Sequence, residues 1–409
     1  MKCLTPEIAW HNRDPVFSID IQPRAVNENV YRLASGGSDT HILIWYIHYE
    51  YTAASKGVSD IEFVADLTRH QKAVNIVRFS PSGEYLASGD DESVVLVWKK
   101  KKDSDNPDFS DLETDDNKEH WTCAKTLRLH IDDVYDLSWS SDSTHLVSGS
   151  VDNTAVMWNI VTGTKVHVFR EHKGFVQGVS WDPLLKYVAT LSSDRTLRVF
   201  STEKKNLVCQ CSKAVIPQQT PKEEPPHATK IFHDDTLKTF YRRLSFSPDG
   251  SLLIVPSGIL ETQTVPQSSS NSENASKPKN ATYIFSRNSF NEPVMYYPSG
   301  DQFSVAVRCC PILFQSSKTN EKKIFDLPYK MVIAVATKNH VLLYDTDHAS
   351  PFGLVTDIHY TRITDLSWSN DGLLLVVSST DGFCSFITFA EGELGERWQK
   401  PEPLPQKQS

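Results

Sequence analysis

No segment of this 409-residue chain comes near the roughly 18 consecutive apolar residues of a membrane-spanning helix. The N-terminus, MKCLTPEIAWH, lacks the apolar core of a signal peptide, so a soluble protein made in the cytosol is expected. A basic surplus is missing as well: 42 Lys and Arg stand against 51 Asp and Glu, a formal charge of −9. That balance argues against a general nucleic-acid binder and suits basic partners better. Cysteine is sparse and unpatterned, with seven in the chain. Cys209 and Cys211 flank a single residue and Cys309 and Cys310 are adjacent, neither being the two-residue gap of zinc knuckles; reduced thiols and no metal are expected. Also absent are a G-x-S-x-G elbow, a phosphate-cradling glycine loop and an H-E-x-x-H helix, so no cofactor is expected. Asn274 and Asn280 match the glycosylation acceptor pattern, which without a signal peptide reads as a chance match in a polar loop.

What the chain does have is a repeat. HQKAVNIVRFSPSGEYLASGDDESVVLVW (70–98) aligns with stretches beginning at His130, His172 and His359. In all four an aromatic follows the histidine by nine residues (Phe79, Trp139, Trp181, Trp368). An acid follows by 22 (Glu92, Asp152, Asp194, Asp381), and a large apolar residue by 28 (Trp98, Trp158, Phe200, Ile387). Each unit breaks into short alternating apolar–polar runs separated by Ser, Asp, Gly and Asn, the pattern of antiparallel strands and tight turns. Three degenerate units, from His11, from His233 and around 303–345, bring the total to seven, a closing number for blades of four strands. The fold class expected is all-β, a seven-bladed WD40-type propeller over residues 1–395. Leu4–Trp10 would supply the outer strand of the last blade and close the ring.

One unit contains His130, Ser148 and Asp152, the residue types of a serine-hydrolase triad. The set recurs, however: His11, Ser35, Asp39 and Trp45 repeat it; His70, Ser88, Glu92 and Trp98 nearly do, with Asp90 and Asp91 nearby; His172, Thr190 and Asp194 repeat three, with Phe200 for the tryptophan. A nucleophile–base set once per chain would suggest catalysis. Once per blade, with Trp158 in its own unit, it is a polar brace tying strands together. No enzyme is expected.

Polar insertions are expected at about 101–120, 206–228, 259–280 and 315–327, with a flexible tail at 396–409. The first carries eight carboxylates between Asp103 and Glu119, and the second contains Thr220-Pro221, a possible phosphorylation motif. The histidine loops and aspartate turns belong on one face. There Asp90 with Asp91, Asp132 with Asp133, and Asp234 with Asp235 form an expected acidic rim for Lys- and Arg-rich segments. The FYRRL loop, with Tyr241, Arg242 and Arg243, is a second expected docking element.

Particular stretches resemble the WD40-repeat middle subunit of chromatin assembly factor 1. They include EIAWHNRDPVFSIDIQP (7–23), FHDDTLKTFYRRLSFSPDGSLL (232–253), AVRCCPILF (306–314) and LPYKMVIAVATKNHVLLYDT (327–346). The likeness spans about Leu4 to Gly395, degenerate blades included. It implies a non-catalytic subunit of a nuclear heterotrimer that deposits newly made core histones on replicating or repaired DNA. Its implied partners are the large subunit, a second WD40 subunit and the tetramer-forming histone pair, with no membrane and DNA reached only indirectly. Family members commonly bind the anti-silencing histone chaperone through a basic–hydrophobic tail segment, which the residues up to Ser409 do not contain. Two rivals fit less well. The replication-independent histone chaperone's propeller is followed by a large second domain, not seen here. Cullin-4 substrate receptors place Arg two residues after the blade tryptophan, where this chain has Ile47, Lys100 and Ile160.

Overall fold

In a computed structural model the described residues are 1–23, 29–51, 56–101, 117–215, 228–260, 279–316 and 323–399. The cores of all four expected insertions, Thr220, Asn274, most of the acidic run and the end of the tail lie outside them. The described residues form seven four-stranded antiparallel sheets and no α-helix. Blade 1 comprises Val16–Ile21, Val30–Gly37, Ile42–Tyr51 and Lys56–Leu67; blade 2, Val74–Phe79, Tyr85–Asp90, Val94–Lys100 and Trp121–Arg128. Blade 3 comprises Val134–Trp139, His145–Ser150, Ala155–Asn159 and Thr164–Phe169; blade 4, Val176–Trp181, Tyr187–Ser192, Leu197–Ser201 and Leu207–Cys211. Blade 5 comprises Ser245–Phe246, Leu252–Leu260, Lys279–Ser286 and Met295–Gly300; blade 6, Ser304–Gln315, Tyr329–Thr337, Val341–Asp345 and Gly353–Val355. Blade 7 takes Ile363–Trp368, Leu374–Ser379 and Cys384–Thr388, and its outer strand is Lys2–Leu4. The protein is a seven-bladed β-propeller closed by its own N-terminus.

Three expected boundaries shift. The closing strand is Lys2–Leu4 rather than Leu4–Trp10, because Trp10 leaves the sheet edge to pack, fully buried, against Trp45 and Phe386. Residues 207–211, placed in an insertion, are the outer strand of blade 4. The start of the tail is held to blade 6: Trp398 N–H donates to Leu313 O (2.8 Å), and Gln315 N–H to Glu396 O (2.7 Å).

The apolar residues of each blade bury against the next blade, so the core is a ring of inter-blade clusters instead of a central mass. The inner strands meet around the axis, where their free edges need partners. The third and fifth residues of these strands supply them. Ser18 and Asp20 accept from Val77 N (3.1 Å) and Phe79 N (2.8 Å) of blade 2. Asp136 and Ser138 accept from Val179 N and Trp181 N of blade 4, both at 2.9 Å. Ser367 accepts from Ile21 N (2.9 Å), which joins blade 7 to blade 1. At the blade 4–5 seam the third residue is Gly178, where a Cβ would lie 1.9 Å from the Arg242 carbonyl oxygen. There the backbones bond directly, Arg242 N to Gln177 O at 3.0 Å.

Candidate functional site

Each inner strand begins at the end of the ring where the chain crosses from one blade to the next. The turns between second and third strands lie at the same end, which is called the loop face below. In blade 3, His130 Nδ1 is 2.9 Å from Asp152, Nε2 is 2.7 Å from Ser148 Oγ, and Trp158 Nε1 donates to the same Oγ at 2.8 Å. With Nδ1–H given to the carboxylate, Nε2 accepts the hydroxyl proton and every polar atom is paired. Burial alone would raise the Asp152 carboxyl, but the hydrogen bond and charge of His130 outweigh it and hold it at about 2. Ser148 is 0% exposed, its oxygen held between an imidazole and an indole. No substrate carbonyl reaches it, so the geometry is that of a brace.

Blade 1 repeats it with His11, Asp39, Ser35 and Trp45 at 2.8–3.0 Å. In blade 2 the acid is Asp90, 2.6 Å from His70, and not Glu92, whose backbone N–H merely caps Asp90 at 3.0 Å. Ser88 bonds His70 (2.7 Å) and Trp98 (2.9 Å). Asp90 is therefore buried inside the brace and is not part of any rim. Blade 4 uses Thr190 (2.7 Å) and Asp194 (3.1 Å), and Arg198 adds an ion pair to Asp194 at 2.8 Å. In blade 7, Asp381 and Ser385 hold His359, both at 3.1 Å, with the serine coming from the third strand instead of the second.

The expected docking element at 240–244 is corrected by burial. Tyr241, Arg242 and Arg243 all lie inside; only Phe240 stands out, 59% exposed. Arg242 donates to the backbone oxygens of His233 and Asp234, and burial lowers its guanidinium to about 10. Arg243 enters an axial ion cluster that the repeat pattern did not disclose. Asp365 meets Arg78 (2.7 Å), Arg243 (2.9 Å) and Arg308 (3.6 Å), and Arg243 also faces Asp136 at 3.7 Å. Desolvation works to raise Asp365, but the three guanidiniums keep it far below the usual carboxylate range. The signal was present at the third and fifth places of the inner strands (Asp20, Arg78, Asp136, Arg308, Asp365), with Arg243 just ahead of the inner strand of blade 5.

The continuous acidic rim is also corrected. Asp91, Asp132 and Asp133 do gather on blades 2 and 3. Asp91 takes a hydrogen bond from Asn75 (2.5 Å), and burial followed by the charges of Asp91 and Asp132 pushes Asp133 up to about 6. Tyr135 and Phe240 pack edge to face beside them at 5.8 Å. Asp234 belongs elsewhere, in a groove with Arg195, Lys238, Lys338 and Arg362, and exposed Asp235 is outside that lining. The loop face is thus divided, acidic on blades 2–3 and basic across blades 4–7.

Among the described residues no three His, Cys, Asp or Glu side chains are placed to share a metal ion. Burial pushes the Cys309 and Cys310 thiols up to about 12, far from a thiolate at neutral pH.

Comparison with known proteins gives a family. The model of the CAF1B/HIR1 beta-propeller domain matches residues 1–394. The B subunit of chromatin assembly factor 1 from Mus musculus is 47% identical over 408 residues, covering 97% of this chain and 68% of the relative. The protein of the same name in Gallus gallus is 45% identical over 407 residues, covering 97% and 69%. Protein HIR1 of Kluyveromyces lactis is 30% identical over 401 residues, covering 94% of this chain but 42% of its own length.

Proposed function

The chain belongs to the CAF1B/HIR1 β-propeller family, and from that premise we propose that it works in the nucleus as a non-catalytic scaffold. It is a histone-chaperone subunit in chromatin assembly. The observation that carries this reading is identity of 45–47% with B subunits of chromatin assembly factor 1 along 97% of the chain. That span includes blades 5 and 6, where no brace dictates the residues. The replication-independent alternative rests on the weaker match to HIR1, 30%.

In finer terms, the propeller joins the large subunit and a second WD40 subunit, and the complex carries the tetramer-forming core histones. The acidic patch of Asp91, Asp132 and Asp133, flanked by exposed Phe240 and Ile131, offers charge and apolar area to a Lys- and Arg-rich segment. The serine or threonine of each brace is fully buried, which supports a role without catalysis. Affinity purification of the full chain from nuclear extract, read by mass spectrometry, is expected to recover the large subunit, the second propeller and core histones. Recovery of a different assembly without that large subunit would overturn the reading. Reversing Asp132 and Asp133 to lysine should weaken histone recovery without lowering the melting temperature.

A further inference from the structure

The basic half of the loop face has no part in that reading. Four cations from four blades converge on one groove: Arg195 from the turn of blade 4, Lys238 ahead of blade 5, Lys338 from the turn of blade 6, and Arg362 ahead of blade 7. A single carboxylate, Asp234, lines it with them, 3.9 Å from Arg195 and capped by Thr236. This concentration of positive charge stands out in a chain whose net charge is −9.

The groove is built rather than fortuitous. Arg195 Nε donates to Phe232 O (2.6 Å) and Arg362 Nη1 to Lys238 O (2.7 Å), so backbone carbonyls orient both guanidiniums. Lys338 is fixed at both backbone groups, its N–H to Phe303 O (3.2 Å) and its carbonyl to Ile363 N (2.9 Å). Leu237 and Phe303 give the groove apolar lining between the charges.

We propose that this groove is a docking site for an acidic peptide segment of a partner protein, its carboxylates meeting Lys338, Arg362 and Arg195 and its apolar side chains resting on Leu237 and Phe303. Charge complementarity selects an anion. The choice of peptide over nucleic acid follows from the surroundings. A duplex needs an extended row of phosphate contacts, whereas this groove is local, partly apolar, and shares its face with Asp91, Asp132 and Asp133, which repel a polyanion. The histone reading concerns the opposite half of the face and stands or falls separately.

The test is fluorescence anisotropy on the full chain with a labelled twelve-residue peptide alternating glutamate with leucine and phenylalanine. Saturable binding is expected, falling with added salt as exposed charges are screened. The double variant K338E/R362E should bind at least about ten-fold more weakly at an unchanged melting temperature, the scale of two lost ion pairs and two new repulsions. D234N, which removes the lone carboxylate, should bind more tightly. That gain of affinity is one a damaged fold does not produce. No binding, equal binding by K338E/R362E, or equal binding of the same peptide with glutamine for glutamate would each overturn the proposal. Displacement by duplex DNA of equal charge would overturn it in favour of a nucleic-acid site.

Discussion

Blades 1 to 4 and blades 5 to 6 reach the same four-stranded form by different polar chemistry. The first group ties its strands with a histidine, a serine or threonine and an aspartate, closed by tryptophan in blades 1 to 3. In blade 5, His233 meets Asn280 at 2.7 Å instead, and Ser257 and Thr282 converge on Ser304 of blade 6, each at 3.0 Å. Blades 5 and 6 are further joined by Tyr297 and Tyr344, stacked 4.0 Å apart, whose hydroxyls donate to Asp345 O and Pro298 O at 2.8 Å. A brace inside one blade is replaced by clasps between two. The difference teaches that the repeat motif is one solution to satisfying buried groups, and that the shared requirement is the satisfaction itself.

The axis is common to both groups, so breaking it should erase the comparison. Asp365→Ala would leave Arg78, Arg243 and Arg308, drawn from blades 2, 5 and 6, without their shared carboxylate. Removing one partner of a buried ion cluster costs roughly 3–5 kcal/mol. Chemical denaturation should show at least that loss; a change below about 1 kcal/mol would mean the cluster does not hold the ring.

Next in size is the brace. Ser148→Ala strips the acceptor from Trp158 Nε1 and the partner from His130 Nε2, both buried. Two orphaned groups cost on the order of 2–3 kcal/mol, and hydrogen exchange should rise first in blade 3. Tyr344→Phe, by contrast, removes one hydroxyl whose carbonyl partner is the only group left unpaired, an expected loss of about 1 kcal/mol. If the two variants proved equal, the distinction between a motif brace and an inter-blade clasp would lose its energetic meaning.

This contrast also explains what was legible beforehand. The brace residues fall at fixed distances from a histidine, so the blades carrying them announced themselves, and with them the fold. Asp90 was missed in favour of Glu92 because spacing from the histidine was copied from blades whose acid lies in the turn, whereas blade 2 draws it from the end of its second strand. Tyr241, Arg242 and Arg243 read as a surface loop because arginine is seldom buried. What buries Arg243 is Asp136 and Asp365, more than a hundred residues away in either direction, and a local reading has no access to them. The split of the loop face was hidden for the same reason: Asp234 and Asp235 resemble Asp132 and Asp133 in sequence, and only closure of the ring sets Lys338 and Arg362 in one groove with Asp234.

The smallest effect separates two neighbouring carboxylates of blade 3 by sign. Asp152 sits at about 2 in the folded chain, against about 3.9 when unfolded. Its contribution is present above pH 4 and is lost as pH falls toward 2, because the folded state then resists the proton that the unfolded state accepts. Asp133 sits at about 6, above the same unfolded value. Here the folded state binds the proton more readily, so the ionised group opposes folding above pH 6, and that opposition disappears as pH falls from 6 to 4. Asp133→Asn should accordingly raise the melting temperature slightly at pH 7.5 and leave it unchanged at pH 4. Asp152→Asn should lower it at both pH values, since Asp152 is still ionised at pH 4. A loss of stability at pH 7.5 in Asp133→Asn would show that the acidic patch is held by bonds to Asp133 and is not a surface poised for a cation.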